Sequence, residues 1–242
     1  MSENNALINS VIKVIQSTGD RERKENQVSN SIGILLNDSD AKVTSNDAQR
    51  IYTAWANTYD KDHDDNVYIY KTPLRAARHF AELFPEVERP RVKVLDIAAG
   101  TGTVGQELHK QGFRDIDAVD ANQAMLDVAK SKNVYNRLIC DFLGPNALDI
   151  KDYTYDGAVA TACFYKSHVT EDCFPELIRI IKPGGLLLMQ IRGDALKEMV
   201  GFTEAMKRLE NDQKWTLVKE EYFPNWYSDK AINGFRVVYR IS

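Results

Sequence analysis

Residues Val94-Leu95-Asp96-Ile97-Ala98-Ala99-Gly100-Thr101-Gly102 say most about the fold of this chain: an apolar run ends in a carboxylate and then turns on small residues. A helical pattern follows, and then a second apolar run, Ile116 to Val119, ends in Asp120. Small residues let the backbone approach a ligand, and a helix N-terminus offers free N–H groups. The pattern indicates a nucleotide-type cofactor site at the edge of a parallel sheet, with Asp120 placed to accept both hydroxyls of a ribose.

Two cofactors compete for this site. Gly100 to Gly105 has the form G-x-G-x-x-G, with Asp120 about 20 residues further on, as in a dinucleotide fingerprint. In that fingerprint the first glycine closes an apolar strand directly, whereas here Asp96 lies at the strand end and two alanines precede Gly100. A buried carboxylate needs a hydrogen-bond partner, which a cofactor ammonium group or a backbone turn would supply. An acid followed by small residues and Gly-x-Gly is the form used for S-adenosylmethionine, which we therefore favour over NAD.

Length and composition predict one α/β domain with an appendage. The chain has 242 residues, of which 43% are hydrophobic, and a net charge of −4. We find no apolar run of the ~20 residues that a membrane span needs and no secretory signal at the N-terminus. The sequence has no stripe of basic residues of the kind that nucleic-acid binding needs, and the 4 histidines show no metal-ligand spacing. Three cysteines without a C-x-x-C pair predict free thiols and a cytoplasmic location.

Residues 1–45 differ from the rest of the chain. Apolar residues at helical spacing near the start predict one short amphipathic helix, carrying Leu7, Val11, Val14 and Ile15. The charged stretch 19–27 has nothing to bury. We expect this arm to be partly disordered or loosely docked, and it is the natural contact for a protein partner.

The remaining residues, 46–242, predict the cofactor domain, in which 46–84 form lid helices. The first lid helix begins at Ser45-Asn46-Asp47 and carries Ile51, Trp55 and Tyr59 on one face. A second helix follows Pro73.

Apolar runs then alternate with helical patterns, which predicts right-handed crossovers and helices on both faces of a parallel sheet. The helix after Thr170 is expected to end at Lys182–Gly185, and a longer helix to span about 195–211. The predicted fold is Rossmann-like and doubly wound: a mostly parallel seven-stranded α/β sheet with a terminal antiparallel hairpin, preceded by N-terminal helices. The predicted strands are 92–97, 115–119, 136–140, 156–162, 185–191, 215–223 and 234–241.

From about residue 47 onward the chain resembles the class I S-adenosylmethionine-dependent methyltransferases, and most closely the methyltransferase-like proteins of the Williams–Beuren chromosome-region type. The matching segments are Tyr52–Asp60, Val94–Gly105, Asp117–Asp120, Gln123–Lys130 and Pro175–Gly185. One departure is Ala98, which stands at the first position of the family's glycine turn. Alanine is tolerated there if its φ is negative.

The resemblance implies roles for particular residues. Asp96 and the backbone of the turn would surround the methionine part of the cofactor, and Asp120 would hold the ribose. Asp141 would accept the adenine amino group, while the N–H of Phe142 would serve a ring nitrogen. A tyrosine face attracts a sulfonium cation. The residues expected at the cofactor are Tyr59, Asp96, Ala98, Gly100, Gly102, Asp120, Ala121, Met125, Asp141 and Phe142.

The loop after the fourth strand, Thr161 to His168, leaves the carboxyl end of a central strand, where ligands of open α/β sheets collect. Tyr165 or His168 is the candidate to orient a nucleophile or to take its proton. A hydrogen-bonded loop histidine without a catalytic role is the alternative. Methyl transfer by in-line displacement needs little chemical help beyond collinear positioning and exclusion of water, so an obvious catalytic dyad is not required.

Three functions follow from these residues. The first is a methyltransferase acting on a small molecule, and the second is a catalytically silent S-adenosylmethionine-binding protein that works through a partner. The third, an NAD-dependent oxidoreductase, is disfavoured because no Tyr-x-x-x-Lys occurs in the chain.

Overall fold

The computed structural model of the chain describes residues 2–16, 43–64, 71–224 and 233–242. One seven-stranded sheet forms the centre of the molecule. Its strands are β1 (Lys93–Ile97), β2 (Asp115–Asp120), β3 (Arg137–Cys140), β4 (Tyr155–Thr161), β5 (Ile181–Arg192), β6 (Trp215–Phe223) and β7 (Gly234–Ile241). The helices are α1 (Ser2–Gln16), α2 (Ser45–Trp55), α3 (Tyr59–Asp64), α4 (Thr72–Ala81), α5 (Thr103–Lys110), α6 (Gln123–Ser131), α7 (Phe174–Ile180), α8 (Gly193–Glu198) and α9 (Phe202–Asn211).

The strands lie in the order β3-β2-β1-β4-β5-β7-β6. Strands β1 to β5 pair in parallel, and β7 is antiparallel to both β5 and β6. Chain order reverses beside β1, which has β2 on one side and β4 on the other, so the carboxyl ends of these strands border a crevice of the kind in which open α/β sheets bind ligands. The predicted mostly parallel sheet with a terminal antiparallel hairpin is confirmed.

Helices cover both faces of the sheet. On one face Phe80 of α4 and Leu108 of α5 share an apolar cluster with Val94 of β1. On the other face Leu177 of α7 and Phe202 of α9 belong to a larger cluster. Burying a large apolar side chain contributes about 1.5–3 kcal/mol, so α4, the last of the predicted lid helices 46–84, also packs into the core of the sheet domain.

Two predicted helix ends are wrong. Residues 195–211 form two helices: α8 ends at Glu198, where Met199 leaves the helical region with ψ of 80°, and Gly201, with φ of +97°, precedes α9 as its N-cap. Helix α7 ends at Ile180, and Lys182–Gly185 belongs to β5 instead. There the pairing of β4 with β5 shifts from Tyr155–Ile181 to Gly157–Leu186, so this proline-containing segment forms a bulge in the strand.

Helix α1, Ser2–Gln16, packs on α2. Ile8 and Val11 are buried against Ile51 and Trp55 in a small third apolar cluster, separate from the two that cover the sheet. Residues 17–42, with the predicted charged stretch, lie outside the described residues. The description of 1–45 as a loosely docked arm therefore stays a prediction. None of the helices in the described ranges has the length and apolar character needed to cross a membrane.

Candidate cofactor site

A cavity opens at the carboxyl ends of β1, β2 and β4. The turn between β1 and α5 forms its floor, and helices α2 and α3 cover it. Of the residues expected at the site, those that line the cavity are Tyr59, Ala98, Gly100, Asp120, Ala121, Met125, Asp141, Phe142 and His168. Asp96, Gly102 and Tyr165 do not line it.

Asp120, the last residue of β2, holds the glycine turn in place. Its Oδ2 accepts a hydrogen bond from the Gly100 N–H at 2.8 Å, and its Oδ1 accepts one from the Asn122 N–H at 2.8 Å. Burial raises the pKa of this carboxyl above its usual value, and the two N–H donors partly oppose the rise. Each carboxylate oxygen keeps a second lone pair, so Asp120 can still accept the hydroxyls of a ribose.

Ala98 adopts a backbone conformation that is unfavourable for alanine. Its φ is +51°, in the left-handed region, although we expected alanine to be tolerated only at negative φ. For a residue with a Cβ this region costs about 1–2 kcal/mol. The turn therefore carries local backbone strain at the floor of the cavity, where strained residues often serve function.

We expect Ala98→Gly to raise the free energy of unfolding by about 0.5–1 kcal/mol. Glycine removes the ~1–2 kcal/mol of left-handed strain but adds ~0.4–1 kcal/mol of chain entropy to the unfolded state. The matched control is Ala99→Gly, because Ala99 is buried and is not among the residues with positive φ. Urea unfolding should show the control less stable than the wild type. A destabilised Ala98→Gly variant would contradict the strain.

Asp96 faces away from the cavity and bonds to a residue that the sequence analysis did not consider. The Tyr135 hydroxyl donates to Asp96 Oδ2 at 2.6 Å and accepts from the Gly105 N–H at 3.2 Å. A Cβ at Gly102 would lie 2.8 Å from the Tyr135 ring, so that glycine makes room for the tyrosine and not for a cofactor. Burial raises the pKa of Asp96 to about 7. In this structure Asp96 and Gly102 shape the turn from behind.

The far side of the cavity contains the residues expected at adenine. Met125 is buried in the first turn of α6, and Asp141 follows β3. The Phe142 N–H, predicted to serve a ring nitrogen, donates to Asp141 Oδ1 at 2.7 Å. To bond a ring nitrogen of adenine, the Phe142 N–H would have to break this hydrogen bond to Asp141.

Helices α2 and α3, which we call the lid, bring aromatic rings to the cavity. The prediction that Tyr59 continues α2 is wrong, because Tyr59 begins α3. Its ring packs on Trp55 with centroids 4.7 Å apart. The Trp55 Nε1–H donates to Asp62 Oδ2 at 2.6 Å, which ties the two helices together. Tyr52 and Tyr59 line the cavity, whereas Trp55 is buried behind them.

His168 closes the cavity on the side of the loop after β4. Its Nε2 lies 3.0 Å from the Tyr52 hydroxyl and its Nδ1 lies 2.9 Å from Ser167 Oγ. Burial lowers the pKa of His168 to about 4, so the imidazole is neutral at pH 7. The ring of Tyr165 packs on His168 at 5.3 Å but does not reach the cavity. Of the two catalytic candidates, His168 alone is a wall residue.

Asn122 is a site residue that the sequence analysis missed. Its side chain caps α6 by accepting from the Met125 N–H at 3.1 Å. Its Nδ2 group contacts the lid at Gln49 Oε1 and at Thr53 Oγ1, each at 2.9 Å. An asparagine directly before a helix is a recognisable cap signal. The contact with the lid has no local signal, because its partners lie 69 to 73 positions away in the sequence.

The cavity suits S-adenosylmethionine. A side-chain carbon at Gly100 would meet no atom within 4 Å, so the turn faces open space that a ligand can approach. Within the described part of the chain no lysine or arginine lines the cavity, whereas Asp120 and Asp141 do. Carboxylates beside aromatic rings fit a cofactor with ribose hydroxyls, an amino group and a sulfonium better than they fit a pyrophosphate. The described residues contain no group of three or more side chains arranged to hold a metal ion.

The sheet order and this cavity define a class I S-adenosylmethionine-dependent methyltransferase, and comparisons with known proteins agree. The family model described as a methyltransferase domain matches residues 94–185. Human methyltransferase-like protein 27 is 30% identical over 166 residues, covering 68% of this chain and 66% of that protein, slightly less than two thirds of its length. Residues 94–185 thus form a class I methyltransferase domain, and S-adenosylmethionine is the cofactor that fits its cavity.

Solved structures share the fold at low sequence identity. A methyltransferase in complex with the Trm112 methyltransferase activator, from Haloferax volcanii, has a TM-score of 0.59 at 16% identity, covering 80% of this chain and 96% of that one. The 1,6-didemethyltoxoflavin-N1-methyltransferase of Burkholderia thailandensis, with bound S-adenosylhomocysteine, has a TM-score of 0.56 at 16% identity, covering 85% and 93%. These likenesses support the architecture alone.

Proposed function

We propose that the protein transfers the methyl group of S-adenosylmethionine to a small-molecule acceptor. The observation that carries the proposal is one cavity lined by two different groups of residues. One group is Asp120 with the glycine turn, and the other is the hydrogen-bonded set of Tyr52, Ser167 and His168. The Burkholderia neighbour, a 1,6-didemethyltoxoflavin-N1-methyltransferase, supports a small-molecule acceptor here too.

The chain's own residues would hold the cofactor as follows. Asp120 accepts the ribose hydroxyls and Asp141 the adenine amino group, while Met125 packs beside the base. Tyr59 presents its ring to the sulfonium. When bound, S-adenosylmethionine supplies a methyl group that is already activated for displacement.

The protein then has to bind, orient and exclude water, because in-line displacement depends mainly on positioning. The lid shields the cavity, and the neutral His168 ring, bonded through its two nitrogens to Tyr52 and Ser167, fixes these hydroxyls in the cavity wall, where they can bond the acceptor. Since its pKa is lowered to about 4, His168 is a weak base at pH 7. We therefore assign His168 a role in orienting the acceptor. A ring nitrogen would take up a proton only from an acceptor that loses it readily.

A catalytically silent protein that binds S-adenosylmethionine and works through a partner is the second candidate. The partner in this alternative draws support from the Haloferax neighbour, a methyltransferase complexed with an activator protein. Under this alternative, residues 1–45 provide the partner's contact. Methyl turnover on any small acceptor separates the two candidates. A cytoplasmic location, and the expectation that neither nucleic acid nor a membrane is a partner, stay predictions from the sequence.

Isothermal titration calorimetry should show micromolar binding of S-adenosylmethionine and S-adenosylhomocysteine, without comparable binding of NAD or NADH. The physical reason is the cavity's pair of carboxylates, which favours hydroxyl and amino groups and disfavours a pyrophosphate. Mass spectrometry of the copurifying nucleotide is an independent check. NAD binding tighter than that of S-adenosylmethionine would contradict the assignment.

A further inference from the structure

Asp60, in the first turn of α3, reaches across to the glycine turn. Its Oδ1 accepts a hydrogen bond from Thr101 Oγ1 at 2.5 Å and a longer one from Thr103 Oγ1 at 3.4 Å. Its Oδ2 forms an ion pair with Lys132 Nζ at 2.7 Å. The Lys132 ammonium also donates to Thr103 Oγ1 at 3.3 Å, so the four side chains form one connected group.

Partial burial strengthens this group. The side chain of Lys132 is only 9% exposed, and that of Asp60 is 37% exposed. Water screens such a pair less than it screens a pair on the open surface, and hydrogen bonds to charged groups are about twice as strong as neutral ones. The contact is therefore stronger than an ordinary exposed ion pair, to which little stability is assigned.

The lid depends on such polar contacts for its attachment to the sheet domain. The apolar packing of its Ile51 and Trp55 forms a cluster separate from those on the sheet. Among the residues that the structure describes, hydrogen bonds from the lid to the domain run through Asn122, through Tyr52 and His168, and through Asp60. Local opening occurs most readily where few apolar contacts hold a segment, so these polar contacts decide how firmly the lid stays closed.

The Asp60 contact lies at the rim of the cavity. Tyr59, its neighbour in the sequence, lines the cavity, as do Thr101 and Thr103, whereas Asp60 and Lys132 do not. Asp60 thus accepts hydrogen bonds from two residues of the cavity wall without lining the cavity itself, while Tyr59 faces the ligand space.

We propose that Asp60, Thr101 and Lys132 form a latch that closes the lid over the glycine turn and positions Tyr59 against the cofactor. The identity of the ligand rests on the proposed function, whereas the closing of the lid does not. Breaking the latch lets the lid open more often, so a bound cofactor escapes faster. Asp60 is a positioning residue, because it acts through Tyr59 and does not touch the ligand space.

The test measures the dissociation rate of S-adenosylhomocysteine from the full chain by stopped-flow displacement. The variants are Asp60→Asn, Lys132→Met and the two combined. Each single change should speed dissociation about tenfold, as loss of one charge-assisted hydrogen bond predicts. The double variant should be scarcely faster than either single one, because both changes break the same pair. Lys110→Met is the matched control, since Lys110 pairs with Glu107 on the exposed side of α5.

Hydrogen exchange of the ligand-free proteins provides a readout that a role confined to global stability would not produce. Asp60→Asn should speed exchange in residues 45–64 and leave β5 and β7 unchanged. This comparison needs no ligand, so it still tests the latch if the wild type fails to bind S-adenosylhomocysteine, a result that would count against the proposed function instead.

Three results would contradict the latch. The first is unchanged exchange in 45–64 together with unchanged dissociation in both single variants. The second is tighter binding of S-adenosylhomocysteine to Asp60→Asn, which would mean that Asp60 competes with the ligand's carboxylate at the N-terminus of α5. The third is additive effects in the double variant, which would exclude a direct pairing of Asp60 with Lys132.

Discussion

Replacing Asp120 with alanine is expected to weaken binding of S-adenosylhomocysteine about a hundredfold while leaving the sheet folded. The substitution removes both anchors of the turn, the 2.8 Å bonds from the Gly100 and Asn122 N–H groups, and the predicted bonds to the ribose. Hydrogen bonds to a charged group contribute ~1.5–3 kcal/mol each. Part of the energy of these hydrogen bonds offsets the cost of burying the Asp120 carboxylate, the same burial that raises its pKa. We therefore expect a net loss of about 3 kcal/mol of binding free energy, which corresponds to the hundredfold change.

The control for this variant is Asp127→Ala. Asp127 lies exposed on α6, where its carboxylate accepts a bond from Gln123 Nε2 at 2.8 Å. The same change of residue type at this position should leave the dissociation constant unaltered. Calorimetry on both variants, with circular dichroism to confirm folding, measures the difference. An unchanged affinity in a folded Asp120→Ala variant would remove Asp120 from the site.

The second large effect concerns Asp96 and pH. Burial raises the pKa of its carboxyl to about 7 in the folded protein, against an ordinary value near 4 in the unfolded chain. A raised carboxyl pKa means that folding favours the protonated form. Asp96 therefore destabilises the folded state progressively as pH rises from about 4 to about 7, and the loss is complete above that range. Three pH units correspond to a loss on the order of 4 kcal/mol.

Asp96→Asn should remove this dependence, because the amide stays neutral and its oxygen can still accept the Tyr135 hydroxyl. The variant should gain stability relative to the wild type as pH rises from 4 to 8, with the difference levelling off above about 7. Urea unfolding across this range measures the free-energy difference between the two proteins. A difference that stays constant with pH would show that Asp96 ionises normally in the fold.

Much of the architecture could be predicted from local sequence signals. Alternating apolar runs and helical patterns predict a covered parallel sheet, since strand and helix periodicities differ and each buries one face. Acids at the ends of apolar runs placed Asp120 and Asp141 at the cavity. Helix ends were less predictable. Residues 195–211 break into two helices around Met199 and Gly201, and the proline-glycine segment after α7 belongs to strand β5.

Short-range sequence patterns were sufficient to predict the fold class, the cofactor class and the residues at the carboxyl ends of β1 and β2, because parallel strands bring their carboxyl ends to one edge of the sheet. The three-dimensional structure was needed to show which side of the turn each residue faces. It turned Asp96 toward Tyr135, held Ala98 at positive φ, and joined Asp60 to Lys132. Those outcomes depend on contacts between residues distant in the sequence, and such contacts leave no periodic signal along the chain.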